Sequence, residues 1–173
     1  MPRLPLIRRP LRTAWLLAAA LALFAGGCGF QPRGQSAGTA GIPAPLFISG
    51  ISPYSALHRE LEEQLRIAGV ALSPSAAESA AVLSIGDWRH ESRLLSVNSR
   101  NKAVEFELEE SAQFGLRARD GAELVADQTA RSTRIQFRPE TAVLGSSREA
   151  ELLRADMISD LAQRIVRRLA AGR

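Results

Sequence analysis

Val104–Ala118 alternates apolar and polar side chains over fifteen positions, and no other stretch of the chain constrains the fold as tightly. The even positions hold Val104, Phe106, Leu108, Ala112, Phe114, Leu116 and Ala118, and the odd positions include Glu105, Glu107, Glu109, Gln113 and Arg117. A period of two predicts a β-strand with one buried and one solvated face. At about 3.3 Å per residue the strand runs to roughly 50 Å, far beyond the usual length. Only Glu110 breaks the alternation. Asp120-Gly121 predicts a hairpin turn, with Ala122–Arg138 as the returning strand. A two-residue loop sets Glu110 opposite Arg131 and Glu107 opposite Arg134, as cross-strand ion pairs.

The neighbouring segments fit around this ribbon. Leu46–Ile51 is a short apolar run, predicted as a strand. Ser52-Pro53 predicts an N-cap followed by proline in the first helical position. Tyr54, Leu57, Leu61, Leu65 and Ala68 recur at helical spacing and Gly69 supplies the stop. Glu60, Glu62, Glu63 and Arg66 fall off that stripe and are expected to face water. Pro74–Ala80 reads as a small-residue loop, and Ala81–Val97 as a strand that loses phase around Asp87–Arg93, where a bulge is expected. Ser146-x-x-Glu149 is a capping box for a final helix, in which Leu153, Met157, Leu161, Ile165 and Leu169 repeat every four residues. Arg164, Arg167 and Arg168 complement its C-terminal dipole. The order predicts an α+β fold, with two helices packed on one face of a mostly antiparallel four-stranded sheet.

The N-terminus is an address. Met1–Gly27 carries Arg3, Arg8, Arg9 and Arg12 with no acid, followed by twelve apolar residues, Ala14–Ala25, and then Gly26-Gly27. Twelve helical residues reach about 18 Å, short of a bilayer core of about 30 Å, so the segment reads as an export signal. No apolar run reaches the length of a membrane span. The paired Arg8-Arg9 raises the twin-arginine route, but Pro10 and Arg12 fit that signal poorly and favour the general one. Cys28 is the only cysteine, which excludes an intramolecular disulfide, and it stands where a bacterial lipoprotein is cleaved after Gly27 and acylated. Ala25 replaces the more usual leucine of a lipobox, and the alternative is a secreted protein with Cys28 as a free thiol. Residues 28–45 form an acylated cysteine and a Gly/Pro-rich flexible linker; residues 46–173 form one domain. Gly29 follows the cysteine, and the aspartate associated with inner-membrane retention is absent. The formal charge of +4 comes from 22 basic and 18 acidic residues. The four signal arginines account for it, so bulk charge gives the mature chain no reason to bind nucleic acid.

Catalytic chemistry is sparse. His58 and His90 lack partners at metal-ligand spacing, so no metal site is expected. Asp156 and Asp160 share a helix face, which a solvated surface explains better than a catalytic dyad. No nucleophile elbow, P-loop or dinucleotide fingerprint occurs, and no catalytic residue and no cofactor beyond a covalent lipid on Cys28 is expected. Arg100-Asn101-Lys102 is a basic hairpin tip, either a solvated turn or a contact for phosphates. Lys102 is the one lysine among the 22 basic residues, and guanidinium suits phosphate, although genomic base composition produces the same bias.

Cys28–Gly34 (CGFQPRG) resembles the start of the LPS-assembly lipoproteins LptE, also called RlpB, with Pro32 in place of the usual leucine. Val143–Leu169 is similar to that family's last helix and preceding loop, and the middle of the chain matches its long hairpins in pattern. The resemblance implies an outer-membrane lipoprotein without catalysis, a plug and assembly partner of the LptD β-barrel that binds lipopolysaccharide on its way to the cell surface. Where the family places a lysine before the last helix, this sequence has Ser146. Arg100 and Lys102 are the nearest match to a basic tip position, and Arg148 is the substitute for the missing lysine; these three are the candidate lipopolysaccharide contacts. Two other readings stay open: a lipoprotein subunit of a different envelope machine, and a membrane-anchored hydrolase built on His58 or His90.

Overall fold

In the computed structural model, residues 41–137 and 146–172 are described. The elements run β1 (Leu46–Ser49), α1 (Ala56–Ile67), a 3-10 turn (Ala76–Glu78), β2 (Ala81–Val97), β3 (Ala103–Ala118), β4 (Glu123–Phe137) and α2 (Ser146–Ala171). The four strands form one sheet in the order β1-β2-β3-β4, with β1 parallel to β2 and the other pairs antiparallel. Both helices pack on the face carrying the even-numbered residues of β3. This is the α+β architecture expected from the order of segments.

α1 starts later than Ser52-Pro53 suggests. Ser52 is spent on a turn: its carbonyl accepts from the Ser55 amide at 3.0 Å and its hydroxyl from the Tyr54 amide at 3.3 Å. Ser55 is the N-cap, accepting from the His58 amide at 3.2 Å. Tyr54 is therefore off the helix and 87 % exposed, while Leu57, Leu61 and Leu65 are fully buried. Glu60 also departs from expectation. It does not face water but receives the Ser159 hydroxyl of α2 at 2.8 Å, between the two helices.

The C-terminal end of α1 follows the sequence closely. Gly69 (φ +77°) donates to Arg66 and Val70 to Leu65, the two bonds of a Schellman cap. Leu65 and Val70 close it from the core side. With no atom near the missing Cβ, Gly69→Ala meets only backbone strain. It is expected to cost about 1 kcal/mol, read as a small drop in melting temperature.

β2 contains the expected bulge: the register with β3 shifts between Gly86 and Arg89, and Asp87 has φ +50°. The β3–β4 register corrects the two cross-strand pairs. The turn holds three residues, not two, closed by Ala118 donating to Ala122 and Gly121 to Ala118, with Gly121 at φ +90°. Two further register shifts follow between Arg117 and Phe114. Glu110 thus lies opposite Ser132 and Glu107 opposite Ile135, while Arg131 faces Ser111 and Arg134 faces Leu108. The ion pairs form elsewhere: Arg131 with Glu109 at 3.2 Å, and Glu107 with Arg93 of β2 at 2.8 Å.

Ile48, Leu83, Ile85, Phe114, Leu116, Leu161 and Ile165 form the centre of the core, which includes Ile42. The core stops short of the end of the sheet: on β2 the last buried residue is Ile85, and on β3 burial extends back only to Leu108. α1 is about 18 Å and α2 about 39 Å long, against roughly 56 Å for the seventeen residues of β2. The hairpin end remote from Asp120-Gly121 extends past the helices, leaving Leu94, Leu95, Val97, Ile135 and Phe137 exposed.

Candidate functional site

The basic tip between β2 and β3 is held by Asn98. Its side-chain oxygen accepts from the Arg100 amide at 2.9 Å and the Lys102 amide at 3.0 Å, while its own amide donates to the Lys102 carbonyl at 2.8 Å. Asn101 takes φ +59°, a conformation asparagine tolerates. One side chain therefore fixes the backbone under Arg100 and Lys102, and both residues are exposed. A guanidinium and an ammonium on one ordered turn can share a phosphate between them.

Arg148 does not join them. Its helix is placed by Arg154, whose Nε donates to Glu110 at 2.9 Å, and by Arg168, which donates to the Thr129 carbonyl at 2.8 Å. From Arg154 back to Arg148 the helix advances about 9 Å, whereas β3 from Glu110 to Lys102 advances about 26 Å. The tip outruns the helix start, so Arg148 is exposed on the first turn of α2, well short of Arg100 and Lys102. The expected capping box rests on the side chain of Ser146, which is outside the described side chains, and the acylation site, Cys28, lies outside the described residues.

The sheet–helix interface holds a cluster that the spacing of charged residues did not reveal. Glu110 is fully buried on the core face of β3. It accepts from Trp88 Nε1 at 2.9 Å and from Arg154 at 2.9 Å, and His90 Nδ1 lies 2.8 Å away. Three side chains, two from β2 and one from α2, thus converge on one carboxylate. Its signal in the sequence was the single break in the β3 alternation.

Asp160 forms a second polar contact, accepting from Ser132 at 2.8 Å and Arg164 at 3.0 Å, with Arg134 at 3.6 Å. Burial pushes its carboxyl up, but the Ser132 hydroxyl and the two guanidinium groups outweigh that and hold it below its ordinary value. A depressed carboxyl stabilises the fold above its unfolded value and loses that contribution as pH falls through the folded one. Asp160→Asn is therefore expected to cost about 1 kcal/mol near pH 7. In urea melts the gap to the wild type should close as pH falls below about 4.

Asp160 is engaged with these groups and Asp156 is exposed. His58 is buried on α1 and His90 is committed to Glu110, with no nucleophile between them. Among the described residues no three His, Cys, Asp or Glu side chains are grouped to hold a metal ion, and no helix is long and apolar enough to cross a membrane.

The LptE family model, described as lipopolysaccharide-assembly, matches residues 44–169. The LPS-assembly lipoprotein LptE of Photorhabdus laumondii is 29% identical over 161 residues, covering 91% of this chain and 85% of that protein. Two solved structures share the fold. Uncharacterized lipoprotein B from Nitrosomonas europaea superposes with a TM-score of 0.68 at 28% identity, over 83% of this chain and 91% of its own. The rare lipoprotein B from Shewanella oneidensis gives 0.63 at 27% identity, over 73% and 93%.

Proposed function

The chain belongs to the LptE family of lipopolysaccharide-assembly lipoproteins, and from that premise we propose that it is the lipid-anchored subunit of an outer-membrane lipopolysaccharide translocon. In this reading Cys28 carries the acyl chains and residues 28–45 tether the domain to the membrane. The domain serves as plug and assembly partner of an LptD-type β-barrel and binds lipopolysaccharide during delivery. It works by contact and position, without catalysis, metal or nucleic acid.

The observation that carries the reading is the set of apolar residues exposed at the far end of the sheet, beyond the helices. Leu94 pairs with Phe106 on the helix-bearing face, whereas Ile135 and Phe137 stand opposite Glu107 and Glu105 on the other. Apolar groups exposed on both faces of one ribbon call for a partner that surrounds it. The remaining open face carries cross-strand pairs such as Arg93–Glu107 and Arg131–Glu109, which suit the polar interior of a large barrel. The tip beyond presents Arg100 and Lys102 to lipid A phosphates. Arg148, remote from the tip, is assigned a separate contact with the same ligand.

The test is affinity purification of the full-length protein from detergent-solubilised outer membrane. A large heat-modifiable barrel should copurify together with lipopolysaccharide. Replacing both Arg100 and Lys102 by glutamate should reduce the lipopolysaccharide and leave the barrel. Recovery of the lipoprotein alone, under conditions that preserve other envelope complexes, overturns the proposal.

A further inference from the structure

β1 is an edge strand, and its outer side is only partly used. The Leu46 amide donates to Ala71 at 2.9 Å and the Leu46 carbonyl accepts from Ser73 at 2.8 Å, so Leu72 bridges to β1 in parallel as a fifth strand would. Among the described residues the pairing stops there. Pro74 has no N–H, and the Ser75 amide turns to the Ser73 hydroxyl at 3.4 Å. By the alternation of the ladder, the amide and carbonyl of Ile48 point to the same outer side as those of Leu46. Strand-edge groups of this kind are a template for a further strand.

Alongside them lies an open groove of about 440 Å³, walled by Phe47, Ile48, Ile51, Pro53 and Leu72, with His58 and Glu62 of α1 on its far side. His58 is 9% exposed at its side chain, and its Nδ1 has no hydrogen-bond partner among the described residues; the nearest acid, Glu62, is 3.7 Å away. The Glu62 side chain is 48% exposed and, among the described residues, is the one lining group with a full formal charge. The groove thus combines an open strand edge, an apolar wall and one carboxylate.

We propose that this groove is a docking site for an extended, basic peptide segment of a partner chain, which adds a short strand at Ile48 and sets a cationic side chain against Glu62. The segment would donate to the Ile48 carbonyl, accept from its amide, and place an alternate apolar side chain against Ile51 and Leu72. The charge of Glu62 selects the occupant: an acidic strand is repelled, and a purely apolar one leaves the carboxylate unpaired. The site is remote from the basic tip and does not depend on the role assigned to it.

The test uses isotope-labelled full-length protein in detergent micelles, titrated with two capped pentapeptides, Val-Lys-Val-Lys-Val and Val-Glu-Val-Glu-Val. The lysine peptide is expected to shift the amides of Ile48, Ser49 and Gly50 and to slow exchange at Ile48. It should bind about fivefold more tightly than the glutamate peptide, as one partly exposed ion pair allows. Glu62→Lys lies at an exposed helix position, so the fold survives it, and it should invert the preference. No shift at Ile48, shifts centred elsewhere, or a preference that Glu62→Lys leaves unchanged would each overturn the proposal.

Discussion

Cys28→Ser is expected to strip the protein of its proposed lipid anchor and to deplete it strongly from the outer membrane. The change deletes one sulfur atom, but that sulfur is the only one available for thioether acylation, because Cys28 is the sole cysteine. Each buried methylene contributes about 0.8 kcal/mol to anchoring, so one acyl chain holds marginally and several hold essentially for good. Without them only the proposed barrel contact holds the domain at the membrane. The apolar stretch Ala14–Ala25 is too short to span, and among the described residues no helix can cross a bilayer. The measurement is fractionation followed by intact mass. Wild-type protein should resist a carbonate wash and carry acyl mass after loss of Met1–Gly27. The serine variant should lack acyl mass and be strongly depleted from outer-membrane fractions. A Cys28→Ser protein that still fractionates with the outer membrane and still carries acyl mass would refute the assignment.

Elements built on local periodicity were legible in the sequence, and those that depend on distant partners were not. β3 declared itself because its two faces differ at every step but Glu110, and the end of α1 did so because Gly69 occupies the one backbone conformation that a cap there requires. The β3–β4 register is a different quantity. It depends on whether the turn holds two residues or three and on extra residues taken up along β4, and a slip of one exchanges every cross-strand neighbour. Arg131 and Glu109 consequently form the pair that Arg131 and Glu110 were expected to form. The start of α1 was misplaced because Ser52 and Ser55 have the same capping chemistry, and only the turn between them decides which one caps. At the basic tip, Arg100 and Lys102 were found by position in a hairpin, a local property. Whether Arg148 reaches them depends on strand rise exceeding helix rise, which no short window contains.

Glu110 shows the same division most sharply, and it sets up the largest expected stability effect. The sequence marks it as an acid on an apolar face, but its partners come from β2 and from Arg154, 44 positions along the chain. The three do not contribute symmetrically. Arg154 is half-exposed, so water can hydrate its guanidinium if Glu110 is lost; Glu110 has no exposed surface, so loss of Arg154 leaves its charge with only Trp88 and His90. Arg154→Leu should therefore cost roughly 3 kcal/mol, a large part of a typical domain's stability. Glu110→Leu should cost less, because it removes the buried charge along with its ligands. In the double variant Glu110→Leu/Arg154→Leu, two leucines meet across the same interface and most of the loss should return, as happens when buried ion pairs are replaced by apolar groups. A double-mutant cycle by urea unfolding measures the coupling directly. If the two single costs simply add, the carboxylate is not held by Arg154, and the N-terminal half of α2 docks by its apolar contacts alone.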